Sequence, residues 1–310
     1  MTRIIRDFMS FSPKTRIVAA YTVCTVVWGT TWFSIRLTIG PGGYPTYEAA
    51  ALRFTIAVTV IALCVPWELA RLGERLGRTL PWLCAAGLIN SMSYGLLYKA
   101  EESVPGSVAA VIYGALPLLT ALTAGATRSE KISAGQIAGG TMALFGITIL
   151  FWDRLHVSHE QAMGVALVAG AVLANAGYLL VYKRKVHSEP SLAATGVFLA
   201  ATGAGLWCIS LGLGWQPLPW PPPTRPSVAL VYLGVAGTVV TFVCYLYLIR
   251  HVGVATASTL IIAESVVALG VDRLWERQGK LELLSYIGAA VALAGSAVSI
   301  VLKPEETPPS

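Results

Sequence analysis

Charged residues are scarce in this chain of 310 residues. They make up 12% of the sequence, whereas soluble domains carry about 25%. Such a composition leaves too little polar surface to cover a domain in water, so a soluble enzyme or soluble binding module is excluded. The alternation of polar and apolar residues in a membrane β-barrel strand is also missing, so helices are the expected membrane-spanning elements.

Signatures of catalysis and of metal binding are missing too. The four histidines lie in predicted loops, and the five cysteines lie in apolar runs without the spacing of a metal site. The apolar runs contain no P-loop, no HExxH motif and no cluster of acidic residues. We therefore expect no enzyme activity, no cofactor and no metal. The cysteines are expected to be small buried apolar residues without disulfides.

A basic face is absent, although the net charge is +6. The Lys and Arg residues are spread over short loops, which argues against nucleic acid as a partner and is typical of cytoplasmic loops of membrane proteins. If the N-terminus is cytoplasmic, about twice as many of these residues lie inside as outside. We therefore expect a multi-pass protein of the cell (inner) membrane with both termini in the cytoplasm.

What the chain has instead is a series of apolar runs of ~20 residues, the length that crosses ~30 Å of hydrocarbon as a helix. Charged residues, proline and glycine mark the ends of these runs. The predicted fold class is an all-α integral membrane protein with ten transmembrane helices. The predicted spans are 17–38, 46–66, 80–98, 105–126, 133–152, 162–182, 191–213, 227–249, 254–271 and 283–302.

The two halves of the chain resemble each other at a shift of about 149 residues. Each half has five predicted spans, an odd number, so the second copy enters the membrane from the opposite side. We therefore predict two inverted five-helix repeats, residues 1–152 and 153–310, a plan that is common among transporters. The best match aligns Gly139, Ala143, Leu144 and Gly146 with Gly288, Ala292, Leu293 and Gly295.

Several short motifs in the first half resemble those of a known family. They are Val-Val-Trp-Gly-Thr-Thr-Trp-Phe at 26–33, Leu-Arg-Phe at 52–54, Pro117 in the fourth span and Ser-Glu-Lys at 129–131. In this order they resemble the EamA-type branch of the drug/metabolite transporter superfamily, although Ser265 stands where that family often has proline. The resemblance implies two inverted five-helix repeats, a central cavity lined by both, and outward movement of small metabolites such as amino acids or drugs.

The most unusual residue within a predicted span is Glu264. It lies near the middle of the ninth span, where an ionised carboxylate costs roughly 2.5–3.5 kcal/mol. Such a residue is a candidate for coupling transport to protons or for contacting a substrate ammonium group. The structural alternative is a protonated Glu264 that bonds to a neighbouring helix.

Polar and aromatic side chains at helical spacing form stripes in several other spans. We interpret these stripes as the wall of a substrate cavity that stacks apolar or aromatic groups and offers a few hydrogen bonds. Packing within the fold is the alternative interpretation. With Glu264, the candidate cavity residues are Trp28, Trp32, Asn90, Tyr94, Tyr113, Asn175, Tyr178 and Tyr245.

Arg53 lies about two turns below the predicted outer surface. Its long side chain can reach that surface, or it can pair with Glu48 or with a backbone carbonyl. It is also the candidate partner of a substrate carboxylate, because a guanidinium binds carboxylates through two hydrogen bonds.

The sequence therefore favours a secondary-active or facilitative transporter that exports small metabolites, with aromatic or apolar amino acids as the first substrate class, through a central alternating-access cavity. Hydrophobic cationic drugs, with Glu264 as the cation partner, are the alternative substrates. A non-transporting membrane assembly subunit is the alternative from another class. The expected partners are a small-molecule substrate and the lipid bilayer, and homodimer formation is left open.

Overall fold

The computed structural model of the chain describes residues 12–64, 77, 79–116, 119, 134–150, 159–186, 192–245, 247–248, 260–275 and 282–301. The predicted kink at Pro117 lies outside them. The helices are α1 (Pro13–Ile39), α2 (Thr46–Cys64), α3 (Leu80–Ala100), α4 (Gly106–Tyr113), α5 (Ala134–Leu150), α6 (His159–Lys185), α7 (Leu192–Leu213), α8 (Thr224–Gly234), α9 (Leu260–Trp275) and α10 (Leu283–Val301).

Proline and short polar side chains mark where several helices begin. Ser12 precedes α1, and its hydroxyl accepts a hydrogen bond from the Thr15 backbone N–H at 3.2 Å, which satisfies one of the free donors of the first turn. Pro13 and Pro81 occupy the first turns of α1 and α3, where a missing N–H costs nothing. These signals are local, so most helix starts were predictable.

Six helical segments within the described residues are long and apolar enough to cross a membrane. The chain is thus a multi-pass, helical membrane protein, as its composition predicts. The six segments are Pro13–Ile39, Thr46–Cys64, Leu80–Ala100, Glu160–Tyr182, Leu192–Gly214 and Thr224–Tyr245, and shorter apolar helices run over Ile137–Gly146 and Tyr286–Val298.

The eighth predicted span contains an irregularity that its apolar sequence does not indicate. After α8, the segment Val235–Val240 is a π-helix, and helical structure then resumes at Thr241. A π-helix widens the turn, so the Thr238 hydroxyl donates to the carbonyl five residues earlier, at Leu233, over 2.9 Å. Such segments occur frequently at functional sites.

The most extensive helix pairings form a regular set. They join α5 to α10, α3 to α6 and α7, α2 to α7 and α8, α1 to α8 and α9, and α4 to α6 and α9. If each helix is exchanged for the one five places along the chain, this set of pairings returns, whereas the contacts of α1 with α4 and of α2 with α3 have no counterpart of similar extent among the described residues. Most of the packing therefore repeats between the two halves.

The contact between α5 and α10 shows this correspondence at atomic detail. A Cβ at Gly146 would clash with the backbone of Gly288 and Ala292, and a Cβ at Gly295 would clash with the backbone of Gly139 and Ala143. These are the residues that the 149-residue shift aligns. Lipid gives apolar helices no hydrophobic reason to associate, so close contact at small residues supplies the attraction between them. These aligned glycines thus make a contact within one chain.

Replacing Gly146 by Val is expected to lower the midpoint of thermal unfolding in detergent, because backbone atoms of α10 have to move. Overpacking of this kind costs about 1–3 kcal/mol. Gly270→Val on α9 is the matched control, since no atom lies within 4 Å of a Cβ there. Equal midpoints for the two variants would contradict the importance of this helix crossing.

Candidate functional site

Arg53 lies in the third turn of α2 and is buried inside the protein, with 3% of its surface exposed. Its Nε donates to the Thr238 hydroxyl at 3.1 Å, and its Nη2 donates to the Gly237 carbonyl at 3.2 Å. Both acceptors belong to the π-helix after α8. The side chain thus reaches a carbonyl, which is one of the alternatives that the sequence offers.

Glu48, the other partner suggested for Arg53, has different contacts. Its Oε1 accepts hydrogen bonds from the Ser210 hydroxyl at 2.7 Å and from the Gln216 backbone N–H at 2.9 Å. Glu48 therefore ties the start of α2 to the end of α7 and to the loop that follows. Among the described residues, Arg53 makes no ion pair.

Two aromatic rings flank the Arg53 guanidinium. Its Cζ atom lies 5.1 Å from the centre of the Tyr94 ring and 5.8 Å from that of Phe54, within the range of a cation–π attraction. The two rings pack edge to face with their centres 4.8 Å apart. Tyr98, one turn further along α3, is fully buried and is an electrostatic neighbour of the same guanidinium.

Asn90 and Thr202 form a second polar pair that is the counterpart of Arg53 and Thr238. Asn90 Nδ2 donates to the Thr202 hydroxyl at 3.2 Å. Thr202 lies 149 residues after Arg53, and Thr238 lies 148 residues after Asn90, so the shift between the halves maps one pair onto the other. One member of each pair lies in the first half of the chain and the other in the second half.

Trp28 packs against aromatic residues near the end of the eighth predicted span. Its ring centre lies 5.3 Å from that of Tyr245 and 6.4 Å from that of Phe242. Trp28 and Tyr245, both predicted as cavity residues, are thus brought together from the two halves of the chain.

Trp32 faces a different neighbour, Tyr113 on α4, at a ring distance of 5.2 Å. The Tyr113 hydroxyl lies 3.2 Å from the Ser93 hydroxyl, and the Asn175 side chain adjoins it. Trp32 and Tyr113 are buried, whereas Asn175 is partly accessible. The candidate residues of α1, α4 and α6 therefore meet in this region.

Tyr178 on α6 has neighbours in each of these groups. The phenols of Tyr94, Tyr113 and Tyr245 are its electrostatic neighbours, and its ring centre lies 5.4 Å from that of Phe198 on α7. Tyr94, Tyr178 and Tyr245 keep some accessible surface although helices surround them, as is expected of residues that line an internal cavity. We call Trp28, Tyr94, Tyr113, Tyr178 and Tyr245 the aromatic lining.

Glu264 on α9 borders the aromatic lining. It is buried, with 8% of its surface exposed, and Tyr245 and Cys24 are among its electrostatic neighbours. Its carboxyl group makes no hydrogen bond with any residue in the described part of the chain. Proton coupling, contact with a substrate ammonium group and a structural hydrogen bond therefore all stay predictions for Glu264.

Sequence reasoning missed several neighbours of these residues, among them Gly237, Thr238 and Thr202. The sequence could have identified Thr202 and Thr238, because the shift between the halves aligns them with Arg53 and Asn90. No local signal marks Gly237 as a partner of Arg53, since the π-helix exposes its carbonyl.

Comparison with known proteins gives one family over most of the chain. The EamA-like transporter family matches twice, over residues 16–152 and 162–301. A crystal structure with 20% sequence identity superposes with a TM-score of 0.64 and covers 94% of this chain and 98% of its own, so the two share a fold.

Two relatives match nearly the whole chain. The probable terminal-alkyne amino-acid exporter of Streptantibioticus cattleyicolor is 25% identical over 293 residues, which are 90% of this chain and 92% of that protein. The uncharacterized inner membrane transporter YedA of Escherichia coli is 27% identical over 283 residues, 89% of each chain. A probable amino-acid metabolite efflux pump of Escherichia coli is 25% identical over 148 residues, 47% of this chain and 46% of its own.

Proposed function

Because the chain belongs to the EamA-like transporter family, we propose that it exports small metabolites and that amino acids with aromatic or apolar side chains are its substrates. The observation that carries this proposal is the aromatic lining, which gathers side chains from both halves of the chain beside a buried guanidinium. Rings of this kind bind apolar groups, and a few polar atoms among them fix the orientation of a ligand.

The relatives support the same substrate class. Two of them are named as a probable amino-acid exporter and a probable amino-acid metabolite efflux pump. An amino acid needs an apolar surface for its side chain and charged or polar partners for its head group. The interior of this protein offers the rings for the first and Arg53 and Asn90 for the second.

We propose further that the ten helices form two inverted repeats, residues 1–152 and 153–310, that alternate around the aromatic lining. The double family match, the exchange-invariant helix pairings and the paired glycine contacts of α5 and α10 support this architecture. In this proposed architecture ten spans, an even number, bring the chain back to the side on which it starts. With a cytoplasmic N-terminus, both termini then lie on the cytoplasmic face of the inner membrane.

The topology is testable by labelling single cysteines at positions 14 and 185 with a membrane-impermeant reagent. Both positions are expected to react only from the cytoplasmic side. Six predicted spans separate position 14 from position 185, and an even number of crossings brings the chain back to the side on which it starts. Single cysteines at positions 42 and 225 serve as controls and are expected to react from the outside. Opposite labelling of positions 14 and 185 would overturn the inverted architecture.

The substrate class is testable in proteoliposomes by counterflow with amino acids, sugars and cationic dyes. Phenylalanine and leucine are expected to exchange, and sugars are not. Tyr178→Ala is expected to raise the KM for phenylalanine by about tenfold, as loss of a ring contact costs on the order of 1 kcal/mol or more. Tyr178→Phe keeps the ring and is the matched control. Exchange of dyes but not of amino acids would reject the proposal.

Hydrophobic cations are the second candidate substrates, and Glu264 is the observation that favours them. Its carboxyl group is buried beside Tyr245 and makes no hydrogen bond with the described residues. A cation stacked on the aromatic lining would find its counter-charge there. Competition by cations rather than zwitterions in counterflow would favour this candidate.

Glu264 is also the proposed site of proton coupling. Glu264→Gln keeps the size of the side chain and removes its ability to exchange a proton. We expect the variant to lose the pH dependence of net export while retaining amino-acid counterflow, in which no net proton movement is needed. A matched Glu102→Gln control changes an exposed carboxylate that pairs with Lys99. Wild-type rates and pH dependence in Glu264→Gln would remove the coupling role.

A further inference from the structure

The Arg53 guanidinium retains unused hydrogen-bonding capacity inside the protein. A guanidinium carries five N–H donors, and the structure uses one on Nε and one on Nη2. The Tyr98 side chain is a further hydrogen-bonding neighbour of the guanidinium, so two of the five donors have no partner among the described residues. The remaining donors are therefore available to a ligand.

The charge of Arg53 is also uncompensated at short range. Its contacts are a hydroxyl, a carbonyl and two aromatic rings, and none of the described carboxylates forms an ion pair with it. Glu101 is an electrostatic neighbour at the end of α3, but it is not within ion-pair distance. Burying a cation without a paired anion is costly, so a carboxylate that binds the free edge of the guanidinium would be strongly favoured.

Asn90 presents the complementary group, an unused acceptor. Its side chain is 98% buried, since only 2% of its surface is exposed. Nδ2 donates to Thr202, but Oδ1 has no hydrogen-bond partner within the part of the chain that the structure describes. A buried acceptor that lacks a partner costs about 1–3 kcal/mol, and a ligand N–H group would recover that free energy.

Tyr94 connects the two groups. It follows Asn90 by one turn of α3, so both side chains lie on the same face of that helix, and its ring lies against the guanidinium. The Phe54 side chain contacts Tyr94 and also lies where a Cβ on Gly203, next to Thr202, would pack. The guanidinium and the Asn90–Thr202 pair are therefore linked through the contacts of Tyr94 and Phe54.

We propose that Arg53 and Asn90 form a head-group site for α-amino acids, in which the guanidinium binds the carboxylate and Asn90 Oδ1 accepts a hydrogen bond from the ammonium group. This inference rests on the proposed function and makes it more specific. The substrate side chain then extends toward the aromatic lining. Thr238 and Gly237 hold the guanidinium in place, so the π-helix acts as the positioning element of the site.

The charge of the site determines which molecules it accepts. A zwitterion supplies the carboxylate that compensates Arg53, and its ammonium group needs only a neutral acceptor. An amine that lacks a carboxylate would bring a second positive charge beside the guanidinium and is disfavoured. An acid that lacks the amino group would leave Asn90 Oδ1 without a partner.

The test is competition against phenylalanine counterflow in proteoliposomes by three compounds: phenylalanine, phenylalaninamide and 3-phenylpropionate. For the wild type, phenylalanine is expected to compete at least about tenfold better than either analogue, because a site built for a polar group rejects a ligand that lacks it. The corresponding leucine derivatives extend the test to an apolar side chain without a ring.

Two variants test which side chain binds the carboxylate of the head group and which binds its ammonium group. Arg53→Lys keeps the charge but loses the two-donor edge, so the preference for phenylalanine over phenylalaninamide is expected to fall by about tenfold. Asn90→Leu should reduce the preference for phenylalanine over 3-phenylpropionate. Thr202 tolerates that change, since its hydroxyl still donates to the Phe198 carbonyl. Arg225→Lys, at an exposed position on α8, is the matched control and should keep both preferences.

Thr238→Val separates a folding defect from a loss of recognition. It retains Arg53 and removes the hydroxyl that accepts from Nε, together with the hydrogen bond of that hydroxyl to the Leu233 carbonyl, so a partial loss of the preference for phenylalanine over phenylalaninamide is expected. Unfolding midpoints of all variants are measured alongside. If the wild type exchanges phenylalanine and both preferences survive in Arg53→Lys and Asn90→Leu, the head-group site is rejected while the proposed function stands. If the wild type exchanges no amino acid, the proposed function fails, and this inference fails with it.

Discussion

Close approach of helix backbones is the constraint on which this structure depends. In lipid the hydrophobic effect does not draw apolar helices together, so they associate where small residues allow dense contact. Gly29 lets α1 lie against Glu264 and Val267 of α9, and Gly106 lets α4 lie against the backbone at Trp32. The same contacts that hold the helices together thus place the aromatic lining and Glu264 around a common interior.

Polar contacts add direction to this packing. The Ser265 hydroxyl donates to the Ala110 carbonyl at 3.0 Å, and Asp272 accepts from the Ser107 backbone N–H at the start of α4, also at 3.0 Å. Hydrogen bonds between membrane helices are individually modest, but they fix which residues face each other. Ser265, which stands where related sequences often have proline, therefore has a structural role of its own in joining α9 to α4.

Much of the fold was predictable, because span length, charged ends and the internal repeat are local or periodic signals. Gly139 and Gly288, which line up in sequence, lie against Gly295 and Gly146 in the structure. The candidate site was predictable as a set of residue types but not as a geometry. That Trp28 meets Tyr245 while Trp32 meets Tyr113 depends on tertiary packing, and the roles of these residues remain predictions. The π-helix had no signal in an apolar run, so the contact of Arg53 with the Gly237 carbonyl was not predictable.

The two matching polar pairs have unequal chemistry, since one contains a guanidinium and the other contains only neutral groups. Two identical inverted repeats would give inward-open and outward-open forms of equal free energy. If the two repeats exchange conformations as proposed, the inward-open and outward-open forms differ in free energy. The hydrogen bonds of Arg53 to the π-helix involve a charged group, whereas the matching Asn90–Thr202 pair is neutral. Under that proposal an empty carrier favours one side of the membrane, and the contact of Arg53 with the π-helix contributes to this preference.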